Sequence, residues 1–287
     1  MYPPEFDYVR PTSVQEAISV LQEREEAKLL AGGHSLIPLL KLRTASVGTL
    51  VDIGRLEDLK GVQQINGTVR VGPVSTHTEI SAAVALPEAL TEAAANVGDR
   101  QVRNRGTIGG NVAHADPASD LPTVLTALGA AFRVLGPRGE RTVTAADFFE
   151  GWFMTALGEH ELLTGLFVPT RSPATGTAYV KLPHPASGYA ILGAAASLTM
   201  SAGRCTSAGV AVGGLTPKAM RAPSVEAALV GKSPDASLIS AAAKAVVDDL
   251  GDDLLGDTFA SAEYRRAILP VYVERALTDA LGRARPS

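Results

Sequence analysis

The stretch that decides the fold is LAGGHSLIPLL, from Leu30 to Leu40. Its two adjacent glycines, Gly32 and Gly33, lie between an apolar strand-like segment and a run typical of a helix. Glycine lacks a Cβ and adopts backbone angles closed to other residues, so successive N–H groups can converge on an anion. Ser35 can cap the following helix, whose first N–H groups point at the same anion. The pattern predicts a phosphate-binding loop or, alternatively, an ordinary tight turn.

Composition and charge restrict the class of protein. The chain has 287 residues, of which 46% are hydrophobic and 20% charged, and this indicates a globular protein with room for a large core. Lys and Arg number 26 against 30 Asp and Glu, without a dense basic tract, which argues against nucleic acid as a partner. We see no membrane-spanning run and no secretory signal, so we expect a cytoplasmic protein.

The sequence contains a single cysteine, Cys205. One thiolate cannot hold an iron–sulfur cluster, which takes about four. A protein of this sequence that handles electrons would therefore use a bound organic cofactor and pass the electrons to another polypeptide. The histidines show no metal-ligand spacing, and we predict no metal site.

Hydrophobic periodicity predicts an α+β fold in three parts: residues 1–55 as a small βαβ unit with parallel strands, 56–172 as an antiparallel and helical unit, and 173–287 as an antiparallel sheet with helices. The Asn66-Gly67 pair predicts a type I′ hairpin. Ser13 is expected to cap the first helix, with Glu16 at capping-box spacing. The predicted strands are 6–10, 29–31, 50–53, 62–65, 68–71, 131–135, 140–143, 162–168, 178–182, 189–200 and 205–212. The predicted helices are 13–23, 76–83, 87–95, 224–230, 236–249 and 262–281, and one begins at Leu36.

A second glycine pair occurs in the segment RNRGTIGGN, from Arg103 to Asn111. A dinucleotide has a long polar spine, and two glycine-rich loops from separate units can bind it from both sides. Neither loop matches the Gly-x-Gly-x-x-Gly or Walker pattern, so a Rossmann or P-loop site is disfavoured.

Together with the opening Phe6-Asp7-Tyr8, the segment DPASDLP at 116–122 and Glu263-Tyr264-Arg265, these motifs resemble the FAD-binding subunits of the molybdenum hydroxylases, in particular their carbon-monoxide-oxidising branch. The resemblance covers essentially the full chain. It implies a flavin domain of the vanillyl-alcohol-oxidase (PCMH) type in two subdomains, followed by a C-terminal α+β domain, and FAD bound without a covalent link to His34.

The resemblance also implies residue roles. The two glycine segments would hold the FAD pyrophosphate, and Asp120 would accept hydrogen bonds from ribityl or ribose hydroxyls. Leu163 would contact the flavin ring through its backbone, Lys181 would be a cation near the pyrimidine edge, and Tyr189 would lie close to the isoalloxazine. The expected cofactor-binding residues are Ala31, Gly32, Gly33, His34, Ser35, Thr107, Ile108, Gly109, Gly110, Asn111, Asp120, Leu163, Lys181 and Tyr189.

Each role has a structural alternative. Asp120 precedes an apolar helical run and would serve equally as a helix cap. Leu163 is typical of a core residue, and Lys181 and Tyr189 are ordinary strand residues when taken alone. Arg100, Arg103 and Arg105 are interpreted as a solvated face, as phosphate ligands, or as residues that anchor a loop or dock a partner.

For function, the resemblance implies an oxidoreductase subunit of a heterotrimer, with no catalytic residue of its own for the substrate. It would take electrons from an iron–sulfur small subunit, fed by a molybdenum-cofactor large subunit, and pass them to an external acceptor such as quinone, with aerobic CO oxidation as one reaction. Alternatives are a subunit of a xanthine dehydrogenase-like or aldehyde oxidase-like hydroxylase that uses NAD, a stand-alone FAD oxidoreductase, or a nucleotide-binding module without redox activity.

Overall fold

The computed structural model describes residues 2–285. The N-terminal unit is a three-stranded parallel sheet in the order β1-β3-β2, with a helix on each connection. Ser13 caps the first helix, because its hydroxyl accepts a hydrogen bond from the N–H of Glu16 at 3.1 Å. The predicted βαβ arrangement is therefore confirmed. Its elements are β1 (Asp7–Val9), α1 (Val14–Glu23), β2 (Ala27–Leu30), α2 (Leu36–Leu42) and β3 (Thr49–Asp52).

The middle unit is built on a five-stranded antiparallel sheet in the order β4-β5-β10-β6-β7, with helices packed on it and a small hairpin, β8-β9, beside it. Asn66 and Gly67 both have positive φ, 45° and 83°, as a type I′ turn requires. The elements are β4 (Val62–Ile65), β5 (Thr68–Val71), α3 (His77–Ser81), α4 (Glu88–Ala95), α5 (Arg100–Arg103), α6 (Ile108–His114), α7 (Asp120–Ala127), β6 (Ala131–Gly136), β7 (Gly139–Thr144), α8 (Ala145–Phe148), β8 (Phe149–Gly151), β9 (Met154–Thr155) and β10 (Leu162–Pro169).

The C-terminal unit is a four-stranded antiparallel sheet in the order β11-β12-β13-β14, covered by helices. The predicted helix 236–249 is shorter than expected, because it ends at Lys244 and a 3-10 turn follows at Ala245–Asp248. The elements are β11 (Thr175–Pro183), β12 (Ala190–Ser201), β13 (Arg204–Gly213), β14 (Met220–Arg221), α9 (Pro223–Leu229), α10 (Ala236–Lys244) and α11 (Ala262–Arg283).

The cores of the units meet. The largest hydrophobic cluster combines residues of the middle unit, such as Phe132, with Tyr179, Ala195 and Ala211 of the C-terminal sheet. Two smaller clusters cover the two faces of the N-terminal sheet, and one of them includes Leu162 from β10. The α+β fold is confirmed, while the domain boundaries after residues 55 and 172 stay predictions. Within residues 2–285, no helix combines the length and apolarity needed to cross a membrane.

The Glu263-Tyr264-Arg265 segment has a structural role that the sequence did not suggest. Arg265 is buried, and its guanidinium donates to the carbonyl oxygens of Ile191 at 3.0 Å and Gly214 at 2.7 Å. It also pairs with Asp257 at 2.5 Å. Arg265 therefore fastens the start of α11 to the beginning of β12 and to the turn after β13.

Candidate functional site

A cavity of about 1070 Å³ lies where the three units meet. Its wall includes the β2–α2 connection of the N-terminal unit, the start of α6 and part of β10 from the middle unit, and residues 187–189 of the C-terminal unit. This volume slightly exceeds the usual range for ligand pockets, roughly 300–1,000 Å³, and it suits an elongated cofactor.

The first glycine segment presents its backbone to this cavity. Gly33 has φ +74°, a backbone angle that residues with a side chain rarely adopt. Ala31 to Ser35 all lie on the cavity wall. The five consecutive N–H groups of residues 32–36 donate no hydrogen bond to any acceptor within residues 2–285. Ser35 occupies the N-cap position of α2, but its side chain makes no capping bond, so that expectation was wrong. A row of free N–H groups at a helix start is the arrangement that binds an anion.

The second glycine segment differs from the expected loop, because residues 108–111 form the first turn of α6. Its N–H groups are already occupied: Ile108 donates to Ser75, Gly109 to Pro73 and Gly110 to the Thr107 hydroxyl. These N–H groups are therefore not free donors, and the role of residues 107–111 in holding the pyrophosphate stays a prediction. Thr107, Gly109, Gly110 and Asn111 line the cavity all the same, so this segment shapes the wall rather than offering backbone donors.

Glycine at these positions allows close packing of backbone on backbone. A Cβ on Gly32 would lie 2.1 Å from the carbonyl oxygen of Arg105 and 3.0 Å from the Cα of Gly106. A Cβ on Gly109 would lie 2.7 Å from the carbonyl oxygen of Pro73. The two glycine segments therefore meet along one edge of the cavity.

Asp120 lines the cavity within a buried polar network. One carboxylate oxygen accepts from the Tyr179 hydroxyl at 2.6 Å, and the other from Lys181 Nζ at 2.9 Å. Burial raises the pKa of Asp120, against the Lys181 cation and the Tyr179 hydrogen bond, which lower it. Asp120 is the first residue of α7 and Ser119 the N-cap, so the helix-cap alternative was wrong.

Two of the expected site residues do not reach the cavity. Ile108 is fully buried in the core of the middle unit. Lys181 lies behind Asp120, and its Nζ also donates to the carbonyl oxygens of Asn96 at 3.0 Å and Gly188 at 2.9 Å. Leu163, on β10, and the half-exposed Tyr189 both line the cavity. Burial raises the pKa of the Tyr189 hydroxyl, which keeps it protonated.

Four histidines, His34, His77, His114 and His160, lie on the wall, and His34 is the one that the sequence predicted. Of the other three, His77 is the most deeply buried. Its side chain is 3% exposed, and burial, with smaller contributions from His34 and Arg103, lowers its pKa to about 4. No pattern in the sequence marks this residue, because its place depends on the contact between α3 and the segment before α6.

The structure distinguishes between the roles considered for Arg100, Arg103 and Arg105. Arg103 donates to the carbonyl oxygens of Val97 and Gly98 at 3.1 and 3.0 Å, so it anchors the loop before α5. Neither Arg100 nor Arg105 lines the cavity through its side chain or backbone. This arrangement supports loop anchoring for Arg103 over direct contact with a phosphate.

Comparison with known proteins places this geometry in a family. Residues 4–171 match the family described as the FAD binding domain in molybdopterin dehydrogenase, and residues 177–280 match the CO dehydrogenase flavoprotein C-terminal domain. The chain belongs to this family of FAD-binding subunits of molybdenum-dependent dehydrogenases. It is thus an oxidoreductase subunit whose cofactor is FAD.

Relatives of known name are similar to this chain over nearly their full length. The carbon monoxide dehydrogenase medium chain of Hydrogenophaga pseudoflava is 39% identical, over 99% of this chain and 99% of the relative. The 6-hydroxypseudooxynicotine dehydrogenase complex subunit alpha of Paenarthrobacter nicotinovorans is 36% identical, over 100% of this chain and 98% of the relative. A solved structure of the Hydrogenophaga pseudoflava carbon monoxide dehydrogenase superposes with a TM-score of 0.94, covering 99% of this chain and 100% of that chain.

The residues on the cavity wall fit FAD. A dinucleotide needs an anion site for its pyrophosphate, and residues 32–36 offer free N–H groups. Its hydroxyls need an acceptor, and Asp120 supplies a carboxylate. Its ring system needs an apolar surface, which Leu163 and the ring of Tyr189 provide.

Proposed function

We propose that this chain is the electron-transfer subunit of a molybdenum hydroxylase and holds FAD non-covalently in the cavity between its three units. The observation that carries the proposal is the row of free N–H groups at residues 32–36, on the wall of a cavity that also presents Asp120 and Tyr189. Bound flavin supplies the ability to exchange electrons singly or in pairs. The chain's own residues bind and orient it.

Each part of the chain has a role in this arrangement. The N–H groups of residues 32–36 receive the pyrophosphate, and Asp120 accepts from a hydroxyl of the cofactor. Leu163 and Tyr189 contact the ring system. Lys181 acts through Asp120 instead of touching the flavin, because its Nζ is already bonded to Asp120 and to two carbonyl oxygens.

The electrons come from, and go to, other molecules. The one cysteine, Cys205, is fully buried within the C-terminal core, and burial raises its thiol pKa. It therefore cannot contribute to an iron–sulfur cluster at the surface. We assign the supply of electrons to an iron–sulfur small subunit, fed by a molybdenum-containing large subunit, and their removal to an external acceptor such as a quinone.

Carbon monoxide is the substrate we assign to the complex, since a relative that matches over its full length is named a carbon monoxide dehydrogenase medium chain. The relative from Paenarthrobacter nicotinovorans makes a hydroxylated pyridine compound the second candidate. The substrate is oxidised in another chain, so no residue of this cavity discriminates between the two.

The chain itself is tested first. Purified alone, it is expected to be yellow and to release its flavin into the supernatant after acid precipitation, as a non-covalent cofactor does. Addition of CO, or of candidate substrates, is expected to leave the flavin oxidised. Flavin reduction by a substrate without any partner would contradict the subunit assignment, and flavin that stays with the acid pellet would contradict non-covalent binding.

The complex is tested next, by tagging this chain in its native host and isolating what it carries. We expect an iron–sulfur chain and a molybdenum chain, and reduction of an artificial dye that depends on CO. Dye reduction by a pyridine substrate but not by CO would keep the subunit role and replace the substrate. A flavin-loaded chain isolated without either partner would contradict the role in a complex.

A further inference from the structure

His77 is held rigidly at the start of α3. Thr76 and Glu79 form a capping box, in which each side chain bonds the other residue's backbone N–H. The N–H of His77 donates to the carbonyl oxygen of Gly106 at 3.0 Å, and Thr76 pairs with Thr107 in an isolated bridge. The imidazole is thereby fixed against the segment that leads into α6.

The ring itself has no hydrogen-bond partner within residues 2–285, although it is almost fully buried. Nδ1 is enclosed and has no acceptor to which it could donate. The proton of the neutral ring is assigned to Nε2, because Nδ1 is the ring nitrogen that is enclosed without a partner. The Cδ2–Nε2 edge lies against Gly106, since a Cβ there would be 2.8 Å from Cδ2 and 2.9 Å from Nε2, and both His77 and Gly106 line the cavity.

This edge lies beside the free N–H groups of the first glycine segment. Gly106 is also the residue against which Gly32 packs, so the His77 ring and the N–H groups at 32–36 flank the same short piece of backbone. The charged groups that influence His77 are His34 and Arg103, both basic. The surroundings therefore favour an anion, and a buried ring with an unused donor requires an acceptor.

We propose that His77 is a phosphate ligand of this site and donates a hydrogen bond from Nε2 to the pyrophosphate of the bound dinucleotide. The inference deepens the proposed function and rests on it. A neutral donor suits this position, because the pyrophosphate brings the charge and the N–H groups at 32–36 share it. The contact exists only for ligands that carry phosphate, so His77 favours FAD over riboflavin.

The test compares FAD and riboflavin binding to flavin-free protein by quenching of flavin fluorescence. His77→Phe keeps the ring volume and removes the donor, and it is expected to raise the Kd for FAD about tenfold while the Kd for riboflavin changes less than twofold. His77→Gln, whose amide can replace Nε2–H, is expected to recover most of the FAD affinity. Lys60→Met is the control, since Lys60 pairs with Glu57 at the surface outside the cavity, and it is expected to leave both Kd values unchanged.

Two results would overturn the assignment: an unchanged Kd for FAD in His77→Phe, or an equal loss of FAD and riboflavin affinity, which would indicate a purely structural role. If the variants do not fold, the unmodified protein with 15N-labelled histidine decides. We expect the Nε2–H resonance of His77 to shift when FAD or ADP is added but not when adenosine is added. If FAD and ADP cause no shift, the contact is refuted. Failure of the unmodified protein to bind any FAD would instead refute the proposed function.

Discussion

Lys181 connects Asp120 to the carbonyl oxygen of Gly188, with Nζ 2.9 Å from each acceptor. One lysine behind the cavity thus positions both a carboxylate on the wall and the turn that carries Tyr189. Its side chain and that of Asp120 are 8% and 6% exposed, so this is a buried ion pair. Removal of one partner from such a pair leaves an uncompensated buried charge.

Lys181→Met is therefore expected to reduce the free energy of unfolding by about 3 kcal/mol, as measured by urea denaturation. It is also expected to lower flavin content, because Asp120 loses the cation that opposes the rise of its pKa on burial and the Gly188 turn loses its donor. Lys60→Met is the matched control: Lys60 pairs with Glu57 at the surface, where the cost is about 1 kcal/mol or less. Equal effects of the two substitutions would contradict this account.

The glycines of the two segments are expected to be indispensable for flavin retention. Gly33→Val places a β-branched residue at φ +74°, with its Cβ 3.0 Å from Ile37, and Gly110→Val places a Cβ 2.8 Å from the Thr107 hydroxyl oxygen. Both variants are expected to be colourless after purification, as judged by the ratio of absorbance at flavin and protein wavelengths.

Gly251→Val serves as the control for these glycine substitutions. A Cβ at Gly251 would have no neighbouring atom within 4 Å, and Gly251 has no positive φ, so its replacement is expected to keep the flavin. Normal flavin content in both Gly33→Val and Gly110→Val would refute a site formed by the two segments.

His77 is expected to make the stability of the flavin-free protein depend on pH. Its pKa falls from 6.5 to about 4 on folding, so between these values the unfolded chain binds a proton that the folded chain does not. Stability therefore rises with pH across this window, and the share of His77 between pH 5 and pH 7 is about 2 kcal/mol. Urea denaturation of His77→Phe should show a correspondingly smaller gain over this interval. A gain as large as in the unmodified protein would mean that the pKa of His77 does not fall on folding.

The sequence predicted the parts of the fold that depend on short-range sequence signals. Asn66-Gly67 predicted the hairpin because only a few residues accept positive φ at both turn positions, and Ser13 predicted the start of α1. It did not reveal that residues 108–111 begin a helix, because two glycines in a first turn are poor helix formers whose conformation here is imposed by the contact with Pro73 and Ser75.

The sequence likewise predicted only those site residues that belong to motifs. Both glycine segments, Asp120 and Tyr189 were predicted through motifs and the resemblance, and with the exception of Ile108 these residues line one cavity. The position of Lys181 behind Asp120 could not be predicted, because residues 61 positions apart meet only through the packing of the C-terminal sheet against α7. His77 was missed for the same reason, since its surroundings come from a segment about thirty residues away in the chain.

The cavity draws its wall from all three units, and this gives a bound cofactor an effect on the whole molecule. Any ligand that binds only when the units are assembled opposes their separation, and at a hundred times its Kd it adds about 2.7 kcal/mol to the free energy of unfolding. Bound flavin would then also stabilise the contacts between the units. The ratio of flavin to protein in a preparation consequently measures how much of it is correctly assembled, and a heated sample should lose its colour and its structure in one transition.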